Sequence, residues 1–235
     1  MESIEAAAQT GGWPPSWLAA ILRLLITILL PLLLVLINAR LLMSDRYILW
    51  EYNRPSFPDD LYGMSQDERI AYALPSLQYL FNNEGIEFLG DITFPDGTPI
   101  YNERELSHMA DVKQVTRGIS TYGYGLLALW ILAAVALGVS AEGRVHLLRG
   151  LFQGGVLTVI LLVVGLLVTS VSFNWLFTQF HALFFEGSTW LFPTTDTLIR
   201  LFPQRFWVDA FVLMFGGALL EALVIGGLTW WLLRR

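Results

Sequence analysis

The run ELSHMADVK, Glu105–Lys113, carries the first group in the chain that could do acid–base chemistry. Its His108 is one of only three histidines, and it stands where the long polar segment passes into an apolar stretch. Imidazole titrates near neutrality, which suits a general acid or base. Residues three or four apart share a helical face, so on a helix His108 points the same way as Val112, with Asp111 at the border of that face. The pattern does not decide whether this histidine is a base or an acid. Because Asp111 could orient the ring and raise its basicity, the pattern leans towards His108 as a base.

A second histidine, His181, lies in an unusually aromatic segment, residues 174–207. Ten of its thirty-four residues are Trp or Phe. Aromatic residues are typical of a membrane interface, which explains most of these rings but neither their density nor the single histidine among them. The first part is predicted to be helical, with Phe177, His181 and Phe184 on one face. The third histidine, His146, stands between two arginines and is interpreted as an interfacial loop residue.

A pair formed by the other two histidines could do three things. It could transfer protons, bind a metal with carboxylates from Asp111, Glu186 or Asp196, or simply pack in the structure. The chain has no HExxH motif or other close ligand spacing, no GxSxG elbow and no cysteine. We therefore predict no metal, no cofactor and no covalent Ser or Cys mechanism. Glu221 lies within an apolar run, and we interpret its side chain as forming a hydrogen bond between two helices.

The composition predicts an integral membrane protein. The 235 residues are 55% hydrophobic and 14% charged, against about 25% charged in soluble domains. The net charge of −6 is concentrated in one polar region, so we expect no nucleic-acid partner. We predict an α-helical membrane protein in which four transmembrane helices carry a small α+β extracytoplasmic cap. The predicted segments are 1–43 (tail and first transmembrane helix), 44–118 (cap), 119–140 (second helix), 141–150 (cytoplasmic loop), 151–173 (third helix), 174–207 (aromatic extracytoplasmic loop) and 208–235 (fourth helix and C-terminus).

The orientation follows from positive charge near the ends of the spans. Arg144 and Arg149 occupy the short loop 141–150, and the chain ends in Arg234 and Arg235. Short loops rich in arginine stay in the cytoplasm. Both termini are therefore predicted to be cytoplasmic, with the cap and the aromatic loop outside.

The cap sequence contains several local signals. Arg46–Tyr52 resembles a short strand, and the turn Pro-Asp-Gly in GDITFPDGTPIY indicates a β-hairpin. Ser65 followed by Glu68 is a helix capping box. Asn102 and Glu105 have the same spacing and predict the start of the helix that carries ELSHMADVK.

Several of these pieces resemble the bacterial lipoprotein intramolecular transacylase family. They are FPDDLYGM at Phe57–Met64, ELSHMADVK, and the aromatic loop with its WLFP and LIRLFP segments. The resemblance implies four transmembrane helices, an extracytoplasmic cap and a bacterial cell-membrane location. It also implies two catalytic histidines at the cap–membrane interface, His108 and His181. The implied reaction moves the sn-2 acyl chain of a diacylglyceryl-cysteine to the α-amine of that cysteine, giving a lyso-form lipoprotein with no external donor or metal.

We expect this enzyme to act as a monomer on a diacylglyceryl-modified lipoprotein among membrane lipids. One alternative is another lipid acyl transfer or hydrolysis. Another is a non-enzymatic transport subunit or assembly partner, which would place polar residues along the spans, where Glu221 is nearly alone. Further residues are predicted to support the histidines or bind substrate: Asp111, Lys113, Tyr122, Asn174, Trp175, Phe177, Phe184, Trp190 and Asp196.

Overall fold

The chain folds into helices over nearly the whole of its described length. The computed structural model describes residues 13–185, 187 and 189–235, with backbone alone for residues 168–171; the tail 1–12 and the candidate metal ligand Glu186 lie outside these residues. The helices are α1 (Ser16–Leu42), α2 (Asp45–Tyr52), α3 (Gln66–Phe81), α4 (Glu87–Gly90), α5 (Glu103–Gly138), α6 (Ala141–Val171), α7 (Phe173–Phe184), α8 (Thr197–Leu201) and α9 (Gln204–Leu233).

Four of these helices are long and apolar enough to cross a membrane: α1, α5, α6 as far as Leu167, and α9. A crossing needs about 20 apolar residues, and each of the four has 27 or more. This confirms the prediction of a four-helix membrane protein. Helix α5, with 36 residues, is longer than a crossing requires. Its first part, up to Arg117, is rich in charged side chains and carries His108.

The chain divides into two compact units. In the first, glycines of α6 lie against neighbouring helices. A Cβ at Gly155 would come within 3.0 Å of the Ala222 carbonyl oxygen, and one at Gly154 within 3.0 Å of Leu30. Small residues thus permit the close backbone approach typical of membrane helices. The first unit is formed by residues up to Ile37, Gly123–Val164 and Gly216–Arg235.

The second unit, Asn38–Tyr122 and Gly165–Phe215, contains both candidate histidines. It holds the cap, residues 44–118, and the aromatic loop, residues 174–207. Among its described residues, one apolar cluster lies around Tyr79, Leu89 and Leu201, and another lies around Tyr47, Tyr52 and Phe206.

The prediction of strands in the cap is wrong. The segment read as a strand is helix α2, whose N-terminus is capped by Ser44. Its buried residues Tyr47, Ile48, Glu51 and Tyr52 follow the three-to-four spacing of a helical face, not the alternation of a strand. The expected hairpin forms a single antiparallel bridge, between residues 93 and 99. Within the described residues the cap is therefore helical rather than α+β.

Both predicted capping boxes are confirmed. The Glu68 N–H donates to Ser65 Oγ at 3.3 Å, and the Ser65 N–H donates to Glu68 Oε2 at 2.8 Å. At the start of α5, the Glu105 N–H donates to Asn102 Oδ1 at 3.1 Å, and the Asn102 N–H donates to Glu105 Oε2 at 2.9 Å. These bonds satisfy backbone donors that a helix leaves open at its first turn.

Candidate active site

One buried carboxylate fixes the start of α5 and a part of the aromatic loop together. Glu105, only 1% exposed, caps α5 with Oε2 and accepts the Leu198 N–H with Oε1 at 2.7 Å. Leu198 belongs to α8, so the same side chain caps two helices. His108 follows Glu105 by three residues, on the adjoining turn of α5. The position of His108 relative to the aromatic loop is thereby fixed.

Buried polar contacts bind the C-terminal half of the aromatic loop to the cap. Thr197 Oγ1 donates to the Ile100 carbonyl at 2.6 Å. Arg69, 3% exposed, donates from Nε and Nη2 to the Arg200 carbonyl at 3.0 and 2.7 Å. The Arg200 side chain donates in turn to both carboxylate oxygens of Asp60, at 3.1 and 2.8 Å. This bidentate pair lowers the pKa of Asp60 to about 2.

Helix α7 presents His181. Its first turn is capped by Ser172, whose side chain accepts the Trp175 N–H. The His181 Nδ1 lies 2.8 Å from the Phe177 carbonyl oxygen. A carbonyl can only accept, so Nδ1 carries the hydrogen and the neutral ring keeps a lone pair on Nε2. Burial lowers the pKa of His181, and the hydrogen bond to the Phe177 carbonyl partly opposes this.

The two candidate histidines lie side by side. Their ring centroids are 6.1 Å apart and their planes differ by 23°. Phe185 contacts both rings, with centroids 4.9 Å from His108 and 5.5 Å from His181. Phe192 lies 5.2 Å from His108, which is only 7% exposed. Two imidazoles at this separation are close enough for both to contact one small chemical group, as paired acid–base chemistry requires.

Aromatic rings surround His181. Ring centroids lie at 3.9 Å for Phe177, 5.5 Å for Phe180 and 4.9 Å for Trp190. Around the two histidines, the buried atoms His108 Nδ1 and Trp190 Nε1 have no hydrogen-bond partner among the described residues. We call the seven side chains the ring cluster: His108, Phe177, Phe180, His181, Phe185, Trp190 and Phe192.

The two charged residues predicted in ELSHMADVK do not contact the histidines through hydrogen bonds. Asp111 is half-buried, and His108 Nδ1 finds no partner among the described residues, so Asp111 does not orient the ring through that atom. Lys113 donates to Asn82 Oδ1 at 2.9 Å and to the Glu84 carbonyl at 2.7 Å. Its ammonium thus binds the C-terminal end of α3.

Other predicted residues lie at the margin of the ring cluster or outside it. Tyr122 and Trp175 are exposed, and Asn174 accepts a hydrogen bond from Gln204 at 3.0 Å. Phe184 packs against Phe180, with the two ring centroids 5.0 Å apart. These positions are accessible to a ligand but do not touch the histidines through a ring contact or hydrogen bond that the described residues show.

Asp196 accepts a hydrogen bond from Arg104 at 2.6 Å, and the Arg104 guanidinium lies 5.6 Å from the Phe192 ring. Sequence reasoning missed Phe180, Phe185 and Phe192, since nothing distinguishes them from the other rings of the loop. It also missed the second capping role of Glu105 and the pairing of Asp60, although both lie in the quoted motifs. Across the described residues, no three His, Asp or Glu side chains are grouped as a metal site.

Comparison with known proteins identifies the family. A sequence model described as lipoprotein intramolecular transacylase Lit matches residues 24–207, well over half of the chain. The chain belongs to this family. An uncharacterized protein of Aquifex aeolicus (strain VF5) is 32% identical over 189 residues, which cover 80% of this chain and 84% of the relative.

Solved structures share the fold of this family member. The lipoprotein intramolecular transacylase Lit from Bacillus cereus superposes with a TM-score of 0.73 at 20% identity, covering 92% of this chain and 96% of that one. A histidine-to-alanine variant of the same protein gives a TM-score of 0.68 at 19% identity, covering 92% and 94%. Family membership makes this chain a bacterial membrane acyltransferase with a general lipoprotein transacylase role, as the motifs predicted.

Proposed function

We propose that this protein moves the sn-2 acyl chain of a diacylglyceryl-cysteine to the α-amine of the same cysteine, leaving a lyso-form lipoprotein. The observation that carries the proposal is the pair of imidazoles, whose ring centroids are 6.1 Å apart within the ring cluster. The transfer needs one proton removed from the amine and one delivered to the glyceryl oxygen. Imidazole suits both tasks, and the family match supports the substrate class.

The hydrogen bonds favour different roles for the two rings. His181 donates from Nδ1 to the Phe177 carbonyl, which leaves the Nε2 lone pair to act as the base. His108 has a buried Nδ1 without a partner in the described chain. An unpaired buried N–H is rarer than an unpaired acceptor, which favours the proton on His108 Nε2, as a donor. We therefore assign the role of base to His181. The position of Asp111 in the sequence had favoured His108 for this role.

The proposed reaction consumes no water molecule. The amine nitrogen attacks the sn-2 ester carbon and forms the C–N bond while His181 Nε2 takes the amine proton. The C–O bond to glycerol then breaks, its electron pair goes to the glyceryl oxygen, and the His181 imidazolium returns the proton there. His108 Nε2–H donates a hydrogen bond to that departing oxygen. The products are an N-acyl amide and a free glyceryl hydroxyl.

The ring cluster serves this reaction in two ways. Amine and ester belong to one substrate, so holding the head group in attack geometry replaces an encounter and can contribute several kcal/mol. The rings also keep water from the ester, which would otherwise be hydrolysed. The low polarity around His181 lowers its pKa, which keeps the base unprotonated near neutral pH.

We further propose the placement of the site in the membrane. Residues 141–150, which were predicted to be a loop, form the first part of α6. The arginines there and at the C-terminus support a cytoplasmic location of both termini. The cap and the aromatic loop then lie on the extracytoplasmic surface, where a lipid-modified protein presents its head group. In this arrangement acyl chains of the substrate remain among membrane lipids, and the enzyme acts as a monomer.

Mass spectrometry of a diacylglyceryl lipopeptide incubated with purified protein tests the proposal. We expect wild type to move one acyl chain to the amino terminus at constant total mass, because the reaction is an isomerisation. His108→Ala and His181→Ala should abolish this, while His146→Ala, which changes the third histidine, should not. Absence of the isomer with folded wild type, or loss of mass by hydrolysis, would contradict the proposal.

A further inference from the structure

Trp190 carries a hydrogen-bond donor that the free protein leaves unused. Its ring packs on His181 with centroids 4.9 Å apart. Its Nε1 is buried and has no partner within the described residues. An indole nitrogen can only donate, and a buried donor without an acceptor is destabilising. Such a donor beside a candidate base indicates that an acceptor arrives with the ligand.

Few other side chains of the ring cluster could donate a hydrogen bond to such an acceptor. Four of its seven members are phenylalanines, which have no polar side-chain atom. The remaining polar atoms belong to His108, His181 and Trp190. The proposed reaction engages His181 with the amine and His108 with the glyceryl oxygen. The carbonyl oxygen of the ester, which becomes negatively charged during attack, then has the indole N–H as the remaining side-chain donor of the cluster.

We propose that Trp190 Nε1–H is the oxyanion donor of the acyl transfer, which makes Trp190 a catalytic residue. This inference rests on the proposed function. When the amine nitrogen bonds to the ester carbon, the carbonyl π electrons move to oxygen, and the indole N–H donates to that oxyanion. When the C–O bond to glycerol breaks, the electrons return and the carbonyl re-forms as an amide. Trp190 neither gains nor loses a proton.

The Trp190 N–H is buried beside the His181 ring. A donor already placed in an apolar site needs no reorganisation when charge develops, and this is why such donors are effective. Because Trp190 Nε1 and His108 Nδ1 are both buried before substrate binds, the entering ester must displace part of the ring packing. The donor is therefore screened from solvent and available only to a group that enters the cluster.

Kinetics of Trp190→Phe test the inference, with full-length protein and the diacylglyceryl lipopeptide as substrate. The variant keeps an aromatic ring and loses the N–H. We expect kcat to fall about 100-fold with little change in KM, as for removal of other oxyanion donors. Because the N–H has no partner in the free protein, Tm followed by light scattering should not fall. Trp130→Phe is the matched control: its N–H donates to the Ile26 carbonyl at 3.3 Å, so Tm should fall while kcat stays unchanged.

A second variant separates the donor from the shape of the ring. Trp190→His retains a planar ring with an N–H and should recover part of the kcat that Trp190→Phe loses. A kcat for Trp190→Phe within threefold of wild type would overturn the inference. So would a loss of kcat accompanied by a matching loss of Tm and shared equally by Trp190→His. If wild type itself forms no N-acyl product, the proposed function fails instead, whatever the Trp190 variants do.

Discussion

The two halves of the aromatic loop are held in different ways. The C-terminal half, which contains α8, is bound to the cap by buried hydrogen bonds and by the Arg200–Asp60 ion pair. Thr197, Leu198 and Leu201 of α8 are buried. The N-terminal half carries His181 on α7, which has no buried residue. Its contacts with α5 are between rings: the ring centroid of His108 lies 6.1 Å from that of His181 and 4.9 Å from that of Phe185.

This difference indicates that one half of the loop anchors it to the cap, while the other half carries the candidate base. Buried charge-assisted hydrogen bonds require a fixed geometry, and removing one partner is costly. Apolar contacts are non-directional, so rings can rearrange around an acyl-bearing head group with less loss. The half fastened by polar bonds fixes where the loop lies beside α5. The half packed by rings places His181 among apolar contacts that can rearrange around a substrate.

Glu105→Ala should give the largest loss of stability among the anchoring changes. It removes the acceptor for the Asn102 and Leu198 N–H groups and leaves a buried gap. We expect the free energy of unfolding to fall by about 3 kcal/mol or more, since two backbone donors lose their partner at about 1–3 kcal/mol each. Thermal unfolding in detergent measures it. An unchanged Tm would show that the buried carboxylate does not hold the two helices.

Asp60→Asn should have a somewhat smaller and pH-dependent effect. The pKa of Asp60 is about 2 when folded, lowered from 3.8 by Arg200, and its side chain is 2% exposed. The lowered value corresponds to about 2 kcal/mol of stability. This contribution is complete above about pH 4 and is lost as pH falls towards 2. The difference in unfolding free energy between wild type and variant should shrink over the same interval. A difference independent of pH would contradict the ion-pair account.

Phe177→Leu tests the half that is held by rings. The Phe177 ring lies 3.9 Å from His181, while its carbonyl, which accepts the Nδ1 hydrogen, remains in the variant. We expect kcat to fall about tenfold, equivalent to about 1.4 kcal/mol, because the imidazole loses its contact with the Phe177 ring and is held less firmly. Tm should change by less than in Glu105→Ala. A variant that loses stability without losing kcat would place Phe177 among the anchoring residues.

The pH profile of kcat/KM should show two falls as pH decreases. The first occurs near pH 8, where the α-amine of the substrate becomes protonated. The second occurs below 6.5, because burial lowers the pKa of His181 from that value, so the base is protonated only at more acid pH. His181→Asn should remove the second fall. A histidine-dependent fall at or above pH 6.5 would contradict the burial of the base.

Arg104→Gln should have the smallest effect. Arg104 pairs with Asp196 at 2.6 Å, but 45% of its side chain is exposed. Exposed ion pairs contribute about 0–1 kcal/mol, so Tm should change little and kcat should stay near the wild-type value. A loss comparable with that of Asp60→Asn would show that exposed and buried pairs anchor the loop alike.

The four apolar helices and both capping boxes could be predicted from local patterns. Apolar runs of sufficient length form helices in a membrane because every backbone group must be satisfied internally. The capping boxes Ser65–Glu68 and Asn102–Glu105 can be predicted from residue type and spacing alone. Arg46–Tyr52 misled the prediction because its aromatic and β-branched residues favour strands, whereas Ser44 caps a helix whose buried face follows helical spacing.

The pairing of His108 with His181 could be expected from the family motifs, but their hydrogen bonds could not. Nothing in the sequence shows that His181 bonds to the carbonyl four residues before it, or that Asp111 leaves His108 Nδ1 without a partner. The second capping role of Glu105 joins residues 93 positions apart. Contacts over such distances depend on how whole elements pack, which local spacing does not encode.

The central claim is that His108 and His181 act as one catalytic unit, and a double-mutant cycle tests it most directly. His108→Gln, His181→Gln and the double variant would be compared by kcat for N-acyl product, with Tm as the control for folding. Groups that act as a unit are strongly non-additive. We predict that each single variant loses about 10²–10⁴-fold and that the double variant is no slower than the slower single. A double variant whose loss equals the product of the two single losses would contradict the claim.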